Sequence, residues 1–137
     1  SSAASDVYKR QVKTYSSDAK DITMPMAVLI NSDTAGYGEL FACDLKDFGK
    51  AFLIGEKTAG RADVQETFEL SDGGAVVLTT SKMLPYISES FDGKGLTPDT
   101  EIILADSLRE NLSTLEKERD TQLQAAISML AGNSSEG

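Results

Sequence analysis

The six residues Thr34-Ala35-Gly36-Tyr37-Gly38-Glu39 lie between an apolar run ending at Ile30 and a stretch of helical periodicity. A strand that turns sharply into a helix aims backbone N–H groups and one turn side chain at the helix N-terminus, where negative charge is stabilised. That is the geometry of a nucleophile elbow, which serves acyl transfer. Two glycines in three residues equally describe a tight turn that needs positive φ and does no chemistry. The rest of the chain narrows the options. It has no histidine, and Cys43 is its one cysteine, so no internal disulfide can form. Without histidine neither a Ser-His-Asp nor a Cys-His nucleophile can be assembled, and zinc would need a carboxylate-rich ligand set that it seldom uses. A hydrolytic base here has to be Lys, Asp or Glu. The nearest hydroxyls are Ser32 and Thr34, and Lys57 is a nearby amine.

Several elements must position that turn. Met26-Ala27-Val28-Leu29-Ile30 is an unbroken apolar run, which predicts a central, parallel strand buried on both faces. Residues 39–48 place Leu40, Phe41, Cys43, Leu45 and Phe48 at helical spacing, and Gly49 is placed to stop that helix. Ala51-Phe52-Leu53-Ile54 predicts a second strand, completing a βαβ unit. Residues 64–70 and 75–80 flank Ser71-Asp72-Gly73-Gly74 and read as an antiparallel hairpin. Residues 81–98 read as an ordered surface loop. Residues 106–130 carry Leu108, Leu112, Leu115, Leu123, Ile127 and Leu130 on one helical face, with a break near 118–120. The fold class expected is α/β.

Composition excludes some partners. With 13 Lys and Arg against 22 Asp and Glu, the 137-residue chain carries a net charge of −9, which repels phosphate backbones and anionic lipid headgroups. Nucleic acid is therefore not an expected partner. The run from Met26 to Ile30 is far short of the roughly 20 apolar residues that a membrane span needs.

The ordered motifs resemble one family. Asn31-x-x-Thr34-Ala35-Gly36-x-x-Glu39-Leu40-x-Ala42, then Asp47-Phe48-Gly49-Lys50-Ala51, then Gly55-Glu56-Lys57-Thr58-x-Gly60-Arg61-x-x-Val64-Gln65 resemble the C-terminal processing (tail-specific) serine peptidases. Leu70-Ser71-Asp72-Gly73, Leu78-Thr79-Thr80 and Gly93-x-Gly95-Leu96-Thr97-Pro98-Asp99 continue the resemblance in order. It covers the C-terminal half of that family's peptidase domain. It implies a crotonase/Clp-protease-like α/β core, truncated at the N-terminal side, and a serine nucleophile with a lysine base. By this match Gly36 stands at the nucleophile position and Arg61 at the base position. Glycine has no hydroxyl, and a guanidinium cannot accept a proton. The resemblance further assigns Gln65 as the residue orienting the base, Asp47 as a family aspartate near the helix end, and the Tyr37 amide as one oxyanion-hole donor. On the bland alternative, Gln65 is a solvent-facing strand residue and Asp47 a helix-end polar group. The second donor belongs to a glycine-rich segment of the family's earlier half, which is absent from this sequence.

Rescue by Ser32 or Thr34 would require the nucleophile to move two or four residues, well beyond the reach of a reacting carbon. Lys57 precedes the glycine turn and reads as a solvated loop residue. Three functional readings stand: a degenerate peptidase domain that retains peptide binding; an active endopeptidase with a substitute nucleophile; and a fragment with no function of its own. The resemblance implies an extended polypeptide or protein C-terminus as partner, no cofactor or metal, and a periplasmic, cell-envelope or secreted location. The expected organisation is a leader at 1–23, a partial protease domain at 24–104, a helical segment at 105–131 and a frayed tail at 132–137. Within the leader, residues 6–11 resemble a translated sequencing-adapter remnant.

Overall fold

The structure is a computed structural model and describes residues 23–133. The expectations for the leader and for residues 134–137 fall outside that range. Strand β1 (Met26–Ile30), helix α1 (Tyr37–Asp47) and strand β2 (Ala51–Gly55) form the expected βαβ unit, with β1 and β2 parallel in the register Met26 to Ala51 through Ile30 to Gly55. A short strand β5 (Thr100–Glu101) adds to the other side of β2, also parallel, giving the order β1-β2-β5.

Among the described residues strand β2, with β1 at the edge, therefore holds the central place. Its Leu53, Ile54 and Gly55 are buried, whereas in β1 only Ile30 is. The apolar run predicted burial on both faces, but β1 has a single neighbour among the described residues, and Leu29 stays exposed.

Helix α1 ends as its glycine predicts. Gly49, at φ 66, donates to the Lys46 carbonyl at 2.9 Å, and Lys50 donates to the Leu45 carbonyl at 2.8 Å, the paired bonds of a Schellman motif. The buried face of α1 is not the expected one. Glu39, Ala42 and Cys43 face inward, while Phe41 and Phe48 are exposed. Ala42 suits a close approach to the sheet and packs with Ile30 and Leu53.

Strands β3 (Asp63–Glu69) and β4 (Ala75–Lys82) pair antiparallel as a separate two-stranded sheet, and Gly73 supplies the positive φ of their turn. Residues 83–98 are more than a surface loop. Met83 and Phe91 are buried with Ala62, and Leu96 packs against both this cluster and the Ile30, Ala42 and Leu53 cluster. Apolar side chains spaced without period can still reach a core when no regular element carries them.

The C-terminal part is broken more often than its leucine spacing predicts. It runs as α2 (Asp106–Arg109), two 3-10 turns (Leu112–Thr114 and Lys117–Arg119) and α3 (Thr121–Asn133). Asp120 starts α3 by accepting the Leu123 N–H at 2.9 Å, at the break expected near 118–120. Helix α3 packs on β1 and β2 with Gln122 and Ala126 buried and Ile127 exposed, and Leu112 in the first 3-10 turn is exposed as well. Ala131 to Asn133, expected at the edge of or within a frayed tail, continue the helix.

Two polar ties close this framework. Glu56 follows β2 and receives Arg109 Nη2 on both carboxylate oxygens at 2.6 Å, plus the Leu104 N–H at 3.0 Å. Asp99 accepts the Leu53 N–H at 2.8 Å and pairs with Lys46 at 2.6 Å. Burial pushes the Asp99 carboxyl up, and the Leu53 amide and Lys46 outweigh it, leaving it below its ordinary value.

The tightest backbone approach is at Gly55, at φ 125, where a Cβ would lie 2.1 Å from the Ile30 carbonyl oxygen. Gly55→Ala is expected to destabilise the protein by about 3 kcal/mol or more through strain and displacement of β1. Urea unfolding measures this. A midpoint equal to that of the parent would show that the β1–β2 junction yields freely.

Candidate functional site

The turn after β1 is built from short polar side chains. Asn31 Oδ1 accepts the N–H groups of Asp33 and Thr34, each at 3.0 Å, and Thr34 Oγ1 accepts the Asn31 N–H at 3.0 Å. A second turn follows at once. Gly38 N–H donates to the Ala35 carbonyl at 3.2 Å, and Gly36, at φ 61 and ψ −123, occupies the first central position of a type II′ geometry. Gly36 is then the N-cap of α1, so strand, strained turn and helix succeed one another as in a nucleophile elbow.

Glu39 holds this turn in place. Its carboxylate is fully buried and accepts four hydrogen bonds. Oε2 receives the Gly36 N–H at 3.0 Å and the Arg61 N–H at 2.8 Å. Oε1 receives the Gly60 N–H at 2.6 Å and the Thr58 hydroxyl. The Gly36 contact is the reach-back half of a capping box, and a carboxylate in the first turn of a helix is favoured by the dipole. One side chain thus ties the first turn of α1 to residues 58–61.

The same contact sets positions 36 and 61 side by side. A Cβ on Gly36 would lie 3.9 Å from the Arg61 carbonyl oxygen and 3.7 Å from Met83 Cε, ordinary contact distances, so there is space for a Cβ, at the cost of the strain that φ 61 places on any L residue. The Arg61 side chain is exposed. Tyr37 is the first residue of α1 and is exposed, and its N–H is among the helix-start donors that no described residue accepts.

The remaining sequence candidates lie elsewhere. Gln65 is exposed on β3, one residue past a bulge and opposite Thr79, and its side chain makes no hydrogen bond to another described residue. Asp47 ends α1, ~16 Å from Gly36 by helical rise. There it accepts the Ser88 N–H at 2.8 Å and the Ser88 hydroxyl at 2.6 Å, pinning residues 86–88 to the helix. Burial pushes the Asp47 carboxyl up, but the two Ser88 bonds and the Cys43 thiol outweigh it and hold it below its ordinary value of 3.8.

The neighbouring hydroxyl, amine and thiol side chains are engaged, exposed or buried. Thr34 Oγ1 is bonded within its own turn, and Ser32 Oγ accepts Arg109 Nη1 at 3.0 Å. Lys57 is exposed. Cys43 is buried, and burial, followed by the Asp47 carboxylate, pushes its thiol up from 9.0, which disfavours the nucleophilic thiolate. Among the described residues no three His, Cys, Asp or Glu side chains come together to hold a metal.

Sequence reasoning placed Glu39 in a motif without giving it a role. The available signal was a carboxylate three residues after a helix N-cap, on the same helical face as Ala42 and Cys43. An acidic residue on an inward face needs donors, and those donors come from residues 58–61, a part of the chain that periodicity does not connect to the helix.

A family model described as Peptidase family S41 matches residues 2–102. The carboxyl-terminal-processing protease of Picosynechococcus sp. is 34% identical over 119 residues, covering 86% of this chain and 28% of that protein. Of solved structures, the photosystem II D1 C-terminal processing protease superposes with a TM-score of 0.56 at 31% identity, over 59% of this chain and 21% of that one. A protein assigned as an S41 protease from Bacteroides fragilis gives 0.60 at 27% identity, over 77% and 27%. The chain spans less than a third of the length of the curated relatives it matches.

Two outcomes test this geometry. Glu39→Gln leaves one acceptor oxygen and turns an N–H₂ group toward donors, so a loss of about 2–4 kcal/mol is expected in urea unfolding; an unchanged midpoint would show that the four bonds contribute nothing net. The depressed Asp47 carboxyl contributes stability that is full above its ordinary value of 3.8 and is lost as pH falls through the lower folded value. Asp47→Asn should accordingly flatten part of the acid limb of the stability profile and leave its slope above pH ~5 unchanged.

Proposed function

Because the chain belongs to peptidase family S41, we propose that it is a degenerate peptidase domain that binds extended polypeptide without cleaving it. The observation carrying this reading is the Glu39 carboxylate, which takes the Gly36 and Arg61 amides on one oxygen. The two positions matched to the nucleophile and the base are held adjacent, yet one carries no side chain and the other a guanidinium that stays charged. Positioning is kept and chemistry is lost. Loss of a nucleophile and base that act as a unit costs on the order of a millionfold in turnover.

The ligand on this reading is a polypeptide segment or protein C-terminus, the class that the relatives' name of carboxyl-terminal-processing protease indicates. The Tyr37 N–H is the proposed surviving oxyanion donor, and Gln65 stands at the position that would orient a lysine. Engagement of Ser32 and Thr34 in structural hydrogen bonds argues against a substitute nucleophile. For compartment, the family reading favours the periplasm, cell envelope or secretion; among the described residues no helix is long and apolar enough to cross a membrane. Residues 24–104 form the partial protease domain and 105–131 its helical extension on the same reading.

A fluorophosphonate probe should leave the parent chain unlabelled, and labelling at any residue would sink the inactive reading. With room for a Cβ at Gly36, though with backbone strain at φ 61, the double variant Gly36→Ser, Arg61→Lys is expected to gain probe labelling. Failure of a folded double variant to label would show that the site around the dyad has decayed as well.

A further inference from the structure

The β3–β4 hairpin is a sheet of two strands, so each strand has one edge to which no described strand pairs. Which backbone groups lie on those edges follows from the turn. Leu70 donates to the Gly74 carbonyl at 2.8 Å and Gly73 to the Leu70 carbonyl at 3.0 Å, which makes 70 and 74 a hydrogen-bonded pair. Antiparallel pairs alternate in kind along a ladder. Val76 and Leu78 therefore direct their N–H and C=O groups at Phe68 and Glu66, and Ala75, Val77 and Thr79 direct theirs outward.

The two edges differ in chemistry. Natural sheets guard an open edge with charge, proline or a bulge. Strand β3 has two of these devices: the acids Asp63, Glu66 and Glu69, and the bulge between Val64 and Gln65. Strand β4 has none over residues 75–81, Ala-Val-Val-Leu-Thr-Thr-Ser, which are uncharged, rich in β-branched side chains and exposed throughout. In a chain of net charge −9, an uncharged edge is where two copies meet with the least repulsion.

The edge is also complementary to itself. With a twofold axis at Val77, β4 is its own antiparallel partner: Val77 faces Val77 of the second copy and exchanges both backbone bonds with it, and Ala75 faces Thr79, another outward-directed residue. Side chains match in the same register. Phe68, Val76 and Leu78 share one face of the hairpin and are exposed. Val76 falls opposite Leu78 of the second copy, so the apolar row of one hairpin continues into that of the other. Beyond the ladder, Lys82 comes level with Asp72 of the second copy, which places opposite charges at both ends of the contact.

We propose that β4 is a self-association edge, through which two copies of this chain pair antiparallel over residues 75–79 in the strand order β3-β4-β4-β3. A lone hairpin is a marginal sheet, and doubling it supplies the strands and the apolar face that it lacks. The contact uses neither Gly36 nor Arg61 and stands whether or not those positions are inactive.

Sedimentation velocity and amide hydrogen exchange of the full chain over a concentration series test this. A monomer–dimer equilibrium with a Kd of about 10–100 μM is expected, the affinity of a small interface. As the dimer fills, exchange at Ala75, Val77 and Thr79 should slow several-fold, while Val76 and Leu78, already bonded to β3, stay unchanged. Val77→Lys sets two ammonium groups against each other at the axis and should weaken the dimer at least about tenfold, although it lowers the overall negative charge. The Val77 side chain is 58% exposed, so the hairpin itself tolerates the change. Thr67→Lys, an equal charge change opposite Val77 on β3, should not weaken the dimer. A monomer whose three edge amides exchange freely at every concentration would leave the edge to a different polypeptide, and a monomer in which they are always protected would put another segment of this chain there. Either result, a dimer that survives Val77→Lys, or equal weakening by the two variants would overturn the proposal.

Discussion

A carboxylate removed from water is among the costliest groups to bury, and its place in a structure has to be secured by donors. Glu39 meets that requirement with three backbone N–H groups and one hydroxyl. Each of those donors comes from a segment that would otherwise be a loop. The carboxylate organises what the hydrophobic core does not reach: the first turn of α1 and residues 58–61. Thr58 carries the connection further, since its hydroxyl also accepts the Leu96 N–H, and Leu96 packs into both hydrophobic clusters. One polar group therefore joins helix, glycine loop and core.

That arrangement sets the geometry of the turn independently of the side chains at positions 36 and 61. The positions of Gly36 and Arg61 are set by their amides, which every non-proline residue has. The side chains at these positions take no part in the bonds to Glu39. Backbone placement and side-chain identity are separable here because they use different atoms of the same residues. Glycine is moreover the residue best suited to φ 61 at position 36, so its presence relieves the turn.

The apolar surface shows a different kind of division. Phe41, Phe48, Tyr86 and Ile87 are exposed, and Phe48 stacks on Tyr86 with ring centroids 5.7 Å apart. The β3–β4 hairpin exposes Phe68, Val77 and Leu78. A two-stranded sheet has too little apolar face to form a core alone, and β3 and β4 pair with each other and not with the parallel sheet. Burial is concentrated around β2, the inner side of α1 and the segment bearing Met83 and Phe91.

By itself the sequence determined the order of strand, helix, strand and hairpin, the Gly49 helix stop, the Gly73 turn and the family resemblance. These are local matters: an apolar run, a glycine at a helix end, or turn residues between two β-prone stretches constrain the backbone within a few residues. It also made legible that position 36 carries no hydroxyl and position 61 carries a guanidinium, because those are questions of residue type alone. Tertiary structure decided which face of α1 is buried, since Ala42 rather than Phe41 permits close approach to β2. It also decided that β2 is the central one of the described parallel strands, because strand order depends on β5, some 45 residues further on. Above all it decided the role of Glu39, whose donors at residues 58–61 lie about 20 positions away. A buried charge is stable only where distant donors converge on it, and no local pattern records that convergence.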